Sequence, residues 1–224
     1  MNDENERVML KESGRPNLNM EPYAKERIVM TIKDELKGKN IVVPDNPVSN
    51  FLFNNTRSGL IWLVVRLYLG YAWLNAGWHK VTSDAWVGSN AGAGLQGFVQ
   101  GAIGKAESGK DVTGWYASFL ENAVLPNAKL FSHIVAFGEL LVGLGLVLGL
   151  LTGIAAFFGA FMNASFLFAG TLSTNPLLFI LATWIVLAWK VSGWYGLDRW
   201  ALPLLGTPWN FRNRRSAAER SVDG

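Results

Sequence analysis

The chain has 224 residues, half of them hydrophobic, with 24 glycines, 10 tryptophans and no cysteine. The missing cysteine excludes disulfides, thiolate nucleophiles, cysteine-ligated iron–sulfur clusters and covalent c-type haem. The formal charge of +3 is small and gives no reason to expect nucleic acid as a partner.

Residues 1–56 are polar, mixed in charge and punctuated by Pro16, Pro22, Pro44 and Pro47. They do not read as a signal peptide, because no short apolar run with a small-residue cleavage pattern opens the chain. Ile28, Val29, Ile32 and Leu36 follow helical spacing, with Gly38 as a stop. The same stretch, "RIVMTI" and "NIVV", also fits two short strands. The arm is either a solvated extension or a docking segment for a soluble partner.

Four apolar runs follow, at about Gly59–Trp78, Leu130–Leu150, Gly153–Leu172 and Leu177–Trp194. Each spans roughly 18–21 residues, which suits a helix crossing a hydrocarbon core about 30 Å thick. The expected fold is therefore an all-α integral membrane bundle of four transmembrane helices over residues 57–203, followed by a basic tail at 204–224. Arg199, Arg212, Arg214, Arg215 and Arg220 make both termini cytoplasmic by the positive-inside rule. Most tryptophans fit interface belts, with Trp78 and Trp86 outside and Trp189, Trp194, Trp200 and Trp209 inside.

The long connection between the first two runs, His79 to Ala128, lies outside in this topology. Leu95, Phe98, Val99, Ala102 and Ile103 repeat at helical spacing, with Gln96 and Gln100 on the opposite face. Trp115, Phe119, Leu120 and Ala123 repeat the pattern before Pro126. Two short amphipathic helices are expected, either packed at the interface or roofing a chamber.

Arg66, Glu139 and Asn163 are strongly polar and lie within apolar runs. Counting from Arg57, Lys129 and Thr152 puts them about 14, 15 and 16 Å deep, all near the bilayer midplane. Arg66 is thus the expected counter-charge of Glu139, with Asn163 completing the cluster. The cluster is either a structural pair fixing helix register or a site for a polar ligand or proton relay. Gly145, Gly149 and Gly153, spaced by four, and Gly70 and Gly77 permit close helix approach. His79 and His133 both fall near the outer boundary. A bis-histidine haem is conceivable, but no further ligand pattern supports it, and no metal is predicted. With Lys80, they are candidate contacts for a small anion.

"RLYLGYAWLNAGWHK" resembles the first-helix signature of the DoxX/DoxD family. "GELLVGLGLVLGLLTGIAAFFGAFMNASF" resembles its second and third helices, and "WYGLDRW" the pattern closing the fourth. The long outer segment resembles the DoxD-type branch, and the similarity covers about residues 57–203. The resemblance implies the membrane subunit of a thiosulfate:quinone oxidoreductase, accompanied by a DoxA-like second subunit or a soluble redox partner. That enzyme joins two thiosulfates into tetrathionate and passes two electrons to a quinone acceptor. Arg66, Glu139 and Asn163 would then be catalytic and quinone-binding, and His79, Lys80 and His133 would receive the sulfur anion. Localisation would be the plasma membrane of a prokaryote, in contact with lipid and open to oligomerisation. A non-catalytic anchor for a soluble enzyme and a small transporter are the competing readings.

Overall fold

The computed structural model describes residues 45–206; the expected N-terminal helix or strands and the Arg212–Arg220 tail lie outside these residues. Among the described residues the structure is helical, with no strand.

A short helix, α1 (Pro47–Asn54), opens with Pro47 at its first position and Asn46 Oδ1 accepting from Val48 N at 2.9 Å. A single 3₁₀ turn, Thr56–Ser58, leads into α2 (Gly59–Val81). Ser58 Oγ and Trp62 Nε1 both donate to Leu52 O, at 2.8 and 2.7 Å, and fasten α1 to the start of α2. Next come α3 (Ala93–Glu107) and α4 (Gly114–Phe119), the latter continued by a π-helical turn over Leu120–Val124. Three longer apolar helices follow: α5 (Ala128–Leu148), α6 (Thr152–Phe168) and α7 (Asn175–Leu187). The chain closes with α8 (Trp189–Ser192) and α9 (Asp198–Leu204).

Two of these stretches are long and apolar enough to cross a membrane, Thr56–Val81 and Ala128–Leu148. The third and fourth apolar runs form shorter helices, of 17 and 13 residues. The fourth run is broken at Ala188, whose ψ of 15° leaves the helical region. Its remaining residues, in α8, pack back against α1, α2 and α6.

α2 and α5 are antiparallel and meet through glycines. A Cβ on Gly77 would stand 2.4 Å from Leu140 N, and one on Gly143 would stand 2.5 Å from Leu74 N. A Cβ on Gly70 would stand 2.8 Å from Val147 Cγ2 and 3.0 Å from Val147 N. Only a residue without a side chain lets two helix backbones approach this far. The expected stripe of Gly145, Gly149 and Gly153 serves other contacts. Gly145 meets Ala155 and Gly153 meets Trp189, while Gly149 ends α5 with φ +64°.

One apolar core links α2, α5, α6 and α7 around Trp62, Leu69, Trp73, Leu146, Ala156 and Ile185. A second gathers Leu95, Val99 and Ala102 of α3 with Tyr116, Leu120 and Val124 at the Lys80 end of the bundle. The buried face of the α4 segment is one residue removed from the expected one. Trp115 and Phe119 stay exposed, and Tyr116 turns inward, where its hydroxyl donates to Ser165 O at 2.8 Å. The two stripes are almost equally apolar, so the available carbonyl at the end of α6 decides between them.

Candidate functional site

The register of α2 against α5 separates the residues that depth counting had grouped. Gly77 lies against Leu140 and Gly70 against Val147. Continuing that pairing sets Glu139 level with Trp78 and Arg66 level with Leu151. Arg66 and Glu139 are therefore about 18 Å apart along the helix axis, at about 1.5 Å per residue. The expected Arg66–Glu139 pair does not exist. The depth count failed because the first two turns of α5 overshoot the end of α2. There they pack under the segment between α2 and α5, with Ser132 Oγ donating to Trp86 O at 2.5 Å.

Glu139 pairs instead with Lys80, from the last turn of α2. Lys80 Nζ donates to Glu139 Oε2 at 2.6 Å, with the carboxylate side chain 1% exposed and the lysine 21%. The ammonium also sits 5.1 Å from the centre of the Trp86 ring, a cation–π contact. Trp86, expected in an interface belt, is thus half-buried over the ion pair.

Arg66 lies at the opposite end and is not among the residues around Glu139. Its Nη1 donates to Leu146 O at 2.9 Å and its Nη2 to Tyr195 O at 3.1 Å. The guanidinium satisfies a carbonyl that the end of α5 leaves without an intrahelical partner. Asp198 completes this junction. Its carboxylate accepts from Leu151 N at 2.6 Å and Thr152 N at 2.9 Å, capping the start of α6, and attracts the Arg66 charge. Arg66 and Asp198 hold the tight turn between α5 and α6.

Beside the Lys80–Glu139 pair is a cavity of about 430 Å³, bounded by α2, α3, α5, α6 and α7. Lys80, Glu139 and Asn163 line it together with Trp73, Phe98 and Phe166. Asn163 is fully buried, and neither its amide nitrogen nor its amide oxygen has a protein partner. Leaving a carboxamide unsatisfied in an apolar interior is costly, so an orphaned one at a cavity wall points to a missing partner. The site can offer hydrogen bonds from Asn163 and Lys80, a proton-bearing ion pair and flat apolar walls.

Of the six sequence candidates, Glu139, Asn163 and Lys80 converge on this cavity. His79 is exposed and is not among its lining residues. His133 lines a separate surface depression with Pro126 and Lys129, its Nδ1 2.7 Å from Lys129 O. The expected anion contact of His79, Lys80 and His133 is therefore not assembled, because successive helical residues point in different directions. Sequence reasoning missed two features: Lys80 as the partner of Glu139, and Trp73 as a cavity wall. The signal for Lys80 was its place as the first charged residue beyond the apolar run.

Residues 61–171, from α2 to the turn after α6, match the DoxX family model. The chain belongs to the DoxX family. No curated protein and no solved structure matches the chain. DoxX proteins are typically membrane proteins, in keeping with the two long apolar helices. The matched region of this DoxX member holds Lys80, Glu139 and Asn163, whereas Asp198 falls beyond it.

Proposed function

We propose that this DoxX protein is the membrane subunit of a quinone-linked oxidoreductase whose quinone head group binds beside Lys80, Glu139 and Asn163. The carrying observation is Asn163, buried at the cavity wall with both amide atoms unpartnered. A quinone carbonyl oxygen accepts from the free amide nitrogen, and the hydroxyl of the quinol formed donates to the free amide oxygen. The volume, about 430 Å³, lies in the range of small-molecule sites, and the Trp73, Phe98 and Phe166 rings suit a flat apolar ligand.

The charges of Lys80 and Glu139 cancel, so the cavity favours a neutral ligand over a doubly charged sulfur anion. Two thiosulfates joining into tetrathionate release two electrons, and a quinone becomes quinol on taking two electrons and two protons. In this reading thiosulfate is oxidised outside the cavity, by a partner subunit or at an exposed face. Lys80 and Glu139 pass protons to the quinone oxygens.

The membrane reading extends to four spans in a prokaryotic plasma membrane with cytoplasmic termini. It is supported by exposed apolar residues on all four long helices, among them Val64, Tyr71, Leu141, Phe157, Phe161 and Ile180. The basic tail supports the orientation.

The test has two stages. A short-chain benzoquinone is titrated into the full-length protein in lipid nanodiscs, and saturable binding is expected, lost in Asn163→Leu. Thiosulfate-dependent quinol formation is then measured in membranes carrying the protein and its co-purifying partners. No quinone binding removes the reading. Binding without thiosulfate turnover keeps the quinone site and rejects this electron donor.

A further inference from the structure

We infer that the ligand reaches the cavity sideways from the lipid, through a mouth between α2 and the start of α7 rimmed by Asn75 and Thr174. The inference rests on the quinone reading above and adds its route of entry. Of the described residues that line the cavity, Asn75 and Thr174 are exposed and the others are buried or half-buried. A residue that lines a cavity and is also exposed marks where the cavity meets the surface. The other sides are closed. Trp73 and Leu178 belong to the main apolar core, Leu95 belongs to the core around α3, and Glu139 is buried.

The surface around this mouth is apolar. Tyr71 and Trp78 lie four residues before and three after Asn75 on α2, so they share its face, and both are exposed. Leu172 and Leu177, on either side of Thr174 in the chain, are exposed as well. Asn75 precedes Lys80 by five residues and sits about 7.5 Å inward of it along the helix. The mouth therefore opens at the side of the bundle, near its Lys80 end. Among the described residues, nothing hydrogen-bonds the Asn75 side chain. An amide on a lipid-facing helix is costly to leave without a partner, and at a mouth it meets the carbonyl of an entering head group.

Such an entrance selects a neutral ligand dissolved in the bilayer over an anion dissolved in water. It lets the apolar tail of a membrane quinone stay in the lipid while the head group fills the cavity. Asn75 and Thr174 then govern how fast the ligand comes and goes, whereas Asn163 governs how tightly it is held.

The experiment mixes the full-length protein in nanodiscs with a short-chain benzoquinone and follows binding by stopped-flow fluorescence. Bound quinone quenches Trp73 and Trp86, which line the cavity. Asn75→Phe narrows the mouth from α2. Its association and dissociation rates are both expected to fall about tenfold, with affinity little changed, as for a gate outside the bound state. Thr174→Phe narrows the opposite rim and is expected to act alike; it removes no helix cap, because the Thr174 side chain makes no capping bond. Leu141→Phe, at an exposed position of α5 away from the cavity, should leave both rates unchanged. Thermal melts without ligand check that each variant is folded; if Asn75→Phe is not, Thr174→Phe decides. Wild-type rates in the folded rim variants overturn the entrance while leaving the quinone site standing. So does a lower affinity at an unchanged association rate, which would make the rim a contact of the bound ligand. No binding by the wild-type protein overturns both.

Discussion

Lys80 and Glu139 face each other at 2.6 Å across the α2–α5 contact, while Arg66 caps the far end of the same helix pair. Glu139 is 1% exposed and depends on the lysine, so Lys80→Met leaves a buried carboxylate unpaired. The expected cost is about 3–5 kcal/mol in unfolding free energy. Glu139→Gln is expected to cost less, because the lysine side chain is partly exposed and can turn toward water. The Lys80→Met/Glu139→Gln double variant should recover part of the loss. By contrast, Arg66→Met and Glu139→Gln should add within about 0.5 kcal/mol, as separated sites do. Rescue in that second pair would contradict the register.

Glycine substitutions test the helix contact directly. Gly77→Ala and Gly143→Ala each drive a methyl into a facing backbone, at 2.4 and 2.5 Å. Backbone cannot move aside as a side chain can, so each should cost about 3 kcal/mol or more. Gly97 and Gly101 on α3 have nothing within 4 Å of the same position. Alanine there should stabilise by about 0.5–1 kcal/mol, through helix propensity alone. Equal melting temperatures for the two sets would refute the packing.

Asp198→Ala removes the carboxylate that caps α6 through Leu151 N and Thr152 N. The expected loss is about 2 kcal/mol, the upper end of a helix cap, since the cap is buried and also attracts Arg66. Quinone affinity should be unchanged, because the junction lies at the other end of the bundle. A fall in affinity without a fall in stability would move Asp198 into the ligand site.

Burial pushes the Tyr116 phenol up from its ordinary value of 10.0, opposed by the nearby Ser165 side chain. The folded protein then holds this proton more tightly than the unfolded chain. The associated stability is complete below about pH 10 and is lost as pH rises through the folded-state value. Tyr116→Phe should lower stability by about 1 kcal/mol at neutral pH, from the lost hydrogen bond. Above pH 10 its stability should fall less steeply than that of the wild type. Parallel curves would show that Tyr116 ionises equally in both states.

Single cysteines read the topology, on a chain that has none of its own. Ser108→Cys, in the turn after α3, should react with an impermeant thiol reagent in intact cells. Ser216→Cys, in the basic tail, should react only after permeabilisation. The reverse pattern would invert the orientation.

The sequence by itself determined the elements and the residues worth following. Apolar runs marked the long helices. Helical spacing picked out Leu95, Val99 and Ala102, all of which are buried. An isolated carboxylate, amide and guanidinium stood out because burial makes them expensive. All three are fully buried.

Partnership was decided only by tertiary structure. Depth along a helix is a one-dimensional quantity, and it cannot reveal that α5 overshoots α2. The overshoot comes from Gly70, Gly77 and Gly143, which set the register by close backbone approach, and from Ser132 held under Trp86. That register gives Glu139 to Lys80 and leaves Arg66 with helix-end carbonyls. Likewise, Trp115 and Tyr116 are both aromatic and adjacent in the chain. Only the position of the Ser165 carbonyl selects the one that turns inward. Local pattern sets which groups must find partners, and packing between segments distant in the chain sets which partners they find.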